Sequence, residues 1–150
     1  MNNLFKIFAV LIFSLVAYSP NTYSHCQIPC GIYDDHARVK SMLEDVATTR
    51  RAAYMITELI KKTDAQSSNQ VVRWVMSKEN HAQNIISTIS DYFLTQRVKS
   101  NQKDYVERLK KHHSVIVLAM KVKQNVDITY IDNLEESIES LLPFYPEHKH

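Results

Sequence analysis

The chain has 150 residues, 45% hydrophobic and 23% charged, a balance that belongs to a folded globular protein and excludes a disordered or fibrous one. A formal net charge of +2 gives no sign of a basic surface for nucleic acid. With one glycine and four prolines there is little to interrupt helices. No stretch alternates apolar and polar residues between turn dipeptides, and no repeat of fixed period appears, so the expectation is an all-α fold.

Residues 1–24 have the three parts of an export signal: Lys6 after a short polar start, an apolar run from Ile7 to Ala17, and a polar stretch ending Thr22-Tyr23-Ser24. The small residues Thr22 and Ser24 place the cut after Ser24. The apolar run is only about half of the ~20 residues a membrane-spanning helix needs, so no membrane attachment is expected after cleavage. The expected destination is the periplasm or the cell exterior, the alternative being a cytoplasmic chain whose leader a peptidase trims. Removing 24 residues from 150 leaves 126, enough for one domain with a real core, and takes away one lysine and no acid.

The cut would leave His25 as the first residue of His25-Cys26-Gln27-Ile28-Pro29-Cys30-Gly31-Ile32-Tyr33-Asp34, which holds both cysteines and the single glycine. A metal bound by the His25 amine, the deprotonated amide nitrogen of Cys26 and the Cys26 thiolate closes two fused five-membered chelate rings, which favour a planar arrangement. Cys30 supplies the fourth corner, with Pro29 fixing one φ and Gly31 permitting a positive one as the chain curls back. The His25 ring can reach an axial position. Two nitrogens and two thiolates in a plane suit nickel(II) or copper(II), whereas structural zinc takes a closed tetrahedron. An oxidising compartment taken alone favours a Cys26–Cys30 disulfide instead, a short loop that stabilises little. The flanking His25, Pro29, Gly31 and Tyr33, with the cut site adjoining, turn the reading toward the metal.

Beyond this hook, Asp34 or Asp35 can cap a helix running from about His36 to Lys62, with Val39, Met42, Leu43, Val46, Ala53, Ile56 and Ile60 along one face. A polar connection from Thr63 to Gln70 leads into a second helix starting near Ser68 and fading near Val98. Its inward residues are expected to be Val71, Val72, Val75, Met76, Ile85, Ile86, Ile89, Tyr92 and Phe93. After a linker from Lys99 to Lys103, a third stripe is formed by Tyr105, Leu109, His112, Ile116, Ala119 and Met120, ending near Gln124. Asp127 can cap the fourth helix, whose stripe is Ile131, Leu134, Ile138, Leu141 and Leu142, stopping before Pro143. Four helices with short connections predict an antiparallel four-helix bundle over 35–150, preceded by the hook over 25–34 and the removable leader over 1–24.

The pattern His25-Cys26-x-x-Pro29-Cys30-Gly31-x-Tyr33 resembles the amino-terminal nickel hook of nickel-containing superoxide dismutase, and Ser90-Asp91-Tyr92-Phe93 is similar to a further short run of that family. The resemblance implies one nickel ion per subunit, held by the amine and ring of His25, the amide and sulfur of Cys26 and the sulfur of Cys30. It implies disproportionation of superoxide to dioxygen and hydrogen peroxide by Ni(II)/Ni(III) cycling, with Tyr33 close to the open face. A homohexamer that packs the hooks between subunits and a dedicated maturation peptidase are implied as well. Gln27 stands where some members carry Asp, and His81 falls, by its flanking Lys78-Glu79, where some carry an arginine beside the axial imidazole. The competing reading is an exported nickel- or copper-binding or delivery protein without turnover; a helical interaction domain closed by a disulfide is the third.

Other candidates have plainer explanations. His112 and His113 are adjacent and point about 100° apart on a helix, so they do not share an ion, and His112 is expected in the core or at an interface. Glu79 and His81 fail in the same way. Trp74 is expected to pack at an interface. His148 and His150 sit in a charged tail. Arg38 and Lys40 offer positive charge near the hook to steer an anion.

Overall fold

A computed structural model describes residues 34–147 of the protein. Helix α1 spans Asp35–Leu59, α2 Ala65–Ser87, α3 Tyr105–Gln124 and α4 Ile128–Glu139. Helix α2 continues without a break into a π-helical segment, Thr88–Arg97, and a 3-10 turn, Leu142–Phe144, follows α4. Among the described residues there is no strand, and the four helices form the expected bundle. The leader and the hook up to Tyr33 lie outside the described residues, as do His148 and His150.

Side-chain contacts fix the register. Asp45 of α1 meets His81 of α2, while Asp35 meets Tyr92 and Arg97, so the pairing runs antiparallel. Lys78 reaches Val122 and Lys123 at one end of the α2–α3 pair, and Phe93 stacks near His112 at the other. Arg50 closes the ring by bridging α1 to Asp132 and Glu135 of α4. Three aspartates start helices by accepting from exposed amides: Asp34 from His36 N at 2.8 Å, Asp64 from Ser67 N at 2.8 Å and Asp127 from Thr129 N at 2.9 Å. The second cap moves the start of α2 to Ala65, three residues ahead of the expected Ser68.

The core is built from Val39, Met42, Val46, Ile85, Ile89, Phe93, Val115, Ile131, Leu134 and Ile138, all fully or almost fully buried. Several expected inward residues turn outward: Val72, Val75 and Met76 of α2, Leu109 and Met120 of α3, and Ile60 are exposed. The buried stripe of α2 passes instead through Ser67, Lys78, Ala82 and Ile85. A charged residue in mid-stripe made that face look solvated, and the valines beside it took its place in the hydrophobic count. In α3 the inward positions are His112, Val115, Ala119 and Val122.

Lys78 is tolerated there because its ammonium donates to the carbonyls of Val122 at 2.6 Å and Lys123 at 2.5 Å, with Glu79 at 3.2 Å. These carbonyls belong to the last turn of α3, which has no donors of its own for them, and the helix dipole favours a cation at that end. Lys78→Met is expected to cost about 1–3 kcal/mol in urea unfolding, since it leaves buried acceptors unpaired while keeping the volume.

Candidate functional site

The end of the bundle at which α1 begins is the end that receives the chain from the hook. Asp34 is spent on the helix cap, and Asp35 turns toward the π-helical segment. Its Oδ1 accepts from the Tyr92 hydroxyl and from Arg97 Nε at 2.8 Å. Arg97 also donates to the Tyr92 oxygen, from Nη2 at 2.9 Å and from Nε at 3.2 Å. In an α-helix, residues five apart point about 140° away from each other. The wider π winding, with Val98 N bonded to Phe93 O at 2.9 Å, puts Tyr92 and Arg97 on one face. Arg38 of α1 adds a second guanidinium, 5.2 Å from the Tyr92 ring centre, with that of Arg97 at 5.3 Å.

Burial, and then the hydrogen bond to Asp35, push the Tyr92 hydroxyl above its ordinary pKa, so it stays a phenol that donates to the carboxylate. Burial works against the Arg97 charge, yet the bond to Tyr92 and the Asp35 carboxylate outweigh it and raise its pKa. Asp35, Tyr92 and Arg97 thus form a charge-assisted triangle that ties the first turn of α1 to the π-helical segment.

A second chain of bonds ties the same turn to the carboxyl-terminal residues. His36 Nδ1 donates to the Tyr145 carbonyl at 3.0 Å. The Tyr145 hydroxyl lies 2.9 Å from His112 Nε2, and His112 Nδ1 lies 2.7 Å from the carbonyl of Arg108. A carbonyl only accepts, so His112 carries its proton on Nδ1, and its Nε2 accepts the hydrogen bond donated by the Tyr145 hydroxyl. Phe93 packs on both rings, with centroids at 5.5 Å and 4.6 Å. His112 is therefore the expected core histidine, neutral and fully satisfied, while His113 is exposed.

Burial holds the His112 pKa below its ordinary 6.5, and burial pushes the Tyr145 phenol up from 10.0 to about 12. The unfolded chain binds a proton at His112 more readily than the folded one, so this contribution to stability is complete above the ordinary histidine value and is lost as pH falls through the lower folded value. Tyr145 acts at the other end: its share is present below pH 10 and is lost as pH rises toward 12. Urea midpoints measured across pH are expected to show a plateau between these limits, with a fall on the acid side that His112→Leu removes.

His81 Nδ1 lies 2.6 Å from Asp45 Oδ1, pairing the middle of α1 with α2. Glu79 turns away toward Lys78 and Lys123, so the two do not share an ion. Among the described residues no three of His, Cys, Asp and Glu gather as a metal site, and no helix is long and apolar enough to cross a membrane. The expected ligands His25, Cys26 and Cys30, with Tyr33, lie outside the described residues and precede Asp34 in the chain. Lys40 is exposed on α1.

Of this anchoring network the sequence flagged Tyr92, through its four-residue run, and missed Asp35, Arg97 and Tyr145 as its members. Counting in α-helical turns hides the Tyr92–Arg97 pair, and the Phe144-Tyr145 step lies past the expected end of the fourth helix before Pro143.

The family model of nickel-containing superoxide dismutase matches residues 20–149. No curated protein and no solved structure matches the chain.

Proposed function

We propose that this chain, which belongs to the nickel-containing superoxide dismutase family and disproportionates superoxide with a nickel cofactor, holds that metal through His25, Cys26 and Cys30 once the residues ahead of His25 are removed. The single observation that carries the reading is the family match across the bundle, joined to a donor set that suits nickel: an amine, an amide nitrogen and two thiolates within six residues. When bound, nickel supplies a one-electron couple whose potential the electron-rich nitrogen and sulfur donors bring between the two half-reactions. One superoxide gives up an electron and leaves as dioxygen; another gains one and, with two protons, leaves as hydrogen peroxide.

The chain has to supply position and protons. The His25 amine and ring give nitrogen donors on one residue, and Cys26 and Cys30 bring the sulfurs. Tyr33, three residues past Cys30, would supply a hydroxyl to order water or the small anion beside the metal. The Asp35–Tyr92–Arg97 triangle and the His36–Tyr145 bond hold the turn that follows, so the root of the hook is fixed from two sides.

Assembly and export belong to the same proposal. Thiolates beside newly formed peroxide are oxidisable, and packing the hooks between subunits of a homohexamer protects them. The exposed Val72, Val75 and Met76 of α2 and Val106 and Leu109 of α3 support an assembly, since such residues are apolar surface available for burial. The leader supports export with cleavage by a maturation peptidase. Intact mass of the natively isolated protein tests all of this together: the expected mass begins at His25 with both sulfurs reduced and one nickel per subunit. A chain starting elsewhere, or a Cys26–Cys30 disulfide in the active protein, would overturn the ligand set.

A further inference from the structure

Helix α3 carries two faces. Its inward face holds His112, Val115, Ala119 and Val122, all buried. At about 100° per residue, Val106, Leu109, His113, Val117 and Met120 fall in a second sector ~80° wide, centred roughly 140° from the first. All five are exposed, Val106 at 60%, Leu109 at 40%, Val117 at 38% and Met120 at 48%. The stripe runs about 21 Å along the helix axis. Its apolar surface continues onto α2: Lys78 reaches the carbonyls of Val122 and Lys123, so the exposed Val72, Val75 and Met76, within two turns of Lys78, lie beside the end of α3 that holds Met120.

Seven of the eleven large apolar side chains exposed among the described residues belong to this one face, so the apolar surface is gathered rather than scattered. Together they leave on the order of 500 Å², comparable with the ~300–600 Å² of the largest patch on a typical monomer, a size that often marks a contact surface. Burying that area on two copies, with the polar rim around it, reaches the ~1,000 Å² that a specific interface needs. The spacing along the stripe identifies the second copy as the occupant. From Val106 the steps are three, four, four and three residues, so the stripe reads the same from either end and His113 is its midpoint. A surface with that symmetry is complementary to its own copy turned antiparallel, which is the condition for an isologous two-fold contact.

We infer that this face is a two-fold interface between two copies of the chain, with α3 lying antiparallel to the α3 helix of the partner. Val106 then meets the partner's Met120, Leu109 meets the partner's Val117, and His113 lies on the axis against the partner's His113. Two neutral imidazoles can share a hydrogen bond there, and a single polar position in an apolar seam fixes its register. The inference rests on the assembly proposed above and assigns the surface that builds one of its contacts. None of these residues belongs to the hook, so the contact forms with or without nickel.

Sedimentation of the mature full chain, with and without nickel, tests the pairing. The expected mass is that of an even number of copies in both metal states. Val117→Glu sets a carboxylate against the partner's Leu109, and Leu109→Lys sets an ammonium against the partner's Val117; each alone is expected to weaken association by at least about a hundredfold, because it buries an unpaired charge. The two together give each carboxylate an ammonium across the axis and are expected to recover most of the loss. Both positions are exposed in the single chain, so urea midpoints of the dissociated variants should match one another. A single-copy mass for the unmodified chain would overturn this interface and the assembly together. An assembly that Val117→Glu leaves unchanged overturns this face alone, and loss in both single variants without recovery in the pair overturns the antiparallel register. Nickel lost from Val117→Glu with no change in mass would assign the face to the hook instead of a second copy.

Discussion

Adding one residue ahead of His25 is expected to lower superoxide consumption by more than about a hundredfold, because first-sphere loss exceeds the 10- to 100-fold effects of outer-shell changes at metal sites. The extension turns a basic primary amine into a peptide nitrogen. The chelate ring between that nitrogen and the Cys26 amide then loses its outer donor, and nickel retention falls with activity. Cys26→Ser and Cys30→Ser are expected to do the same by replacing a soft thiolate with a hard hydroxyl. Rapid-mixing decay of superoxide and nickel content per subunit report the loss. The thermal midpoint of the metal-free chain separates it from unfolding and is expected not to move. Full activity in the extended chain would remove the amine from the ligand set.

That prediction rests on residues whose meaning is local and therefore legible. A histidine followed by a cysteine, with a second cysteine five residues on from the histidine, spells the proposed donor set in the order of the letters, and the proposed cut ahead of it completes that set. The bundle was legible for the related reason that helical periodicity is local: Val39, Met42, Val46 and Ile56 of α1, and Ile131, Leu134 and Ile138 of α4, lie inward as their spacing requires. The outer-facing Val72, Val75 and Met76 show where periodicity ran short. Two overlapping stripes were available on α2, and the one through Lys78 is chosen only because the end of α3 offers that ammonium two carbonyls. This contact between residues 44 and 45 positions apart leaves no mark in a window of one or two turns.

The same limit hid the anchor of the hook. Asp35 and Tyr92 are 57 residues apart, and their partner Arg97 comes onto the same face only through a change in helical pitch. Helix dipole and capping rules explain Asp34, but nothing in the neighbourhood of Asp35 announces a guanidinium. The π-helical segment is a rare form found frequently at functional sites, and here it delivers a tyrosine and an arginine to the first turn of α1, which follows the proposed ligands in the chain. The proposed ligands therefore lie close together in the sequence, whereas the network at the first turn of α1 is assembled from three elements.

Tyr145→Ala is expected to be among the most damaging changes in the body of the protein, at about 3–5 kcal/mol, the range for truncating a buried aromatic. Tyr145 is 5% exposed and packs on Phe93 at 4.6 Å between centroids. Against a total stability of roughly 5–15 kcal/mol for a domain of this kind, that loss approaches unfolding. Tyr145→Phe isolates the hydrogen bond: the ring stays, His112 Nε2 is left as a buried acceptor without its donor, and about 1–2 kcal/mol should be lost. Urea unfolding with unchanged slope measures both. The acid-side fall in stability should persist in Tyr145→Phe, because the titrating ring is still buried, and should disappear in His112→Leu. If instead Tyr145→Phe removes the pH dependence while His112→Leu retains it, the neutral imidazole is not the group being protonated, and the assignment of its two nitrogens is wrong.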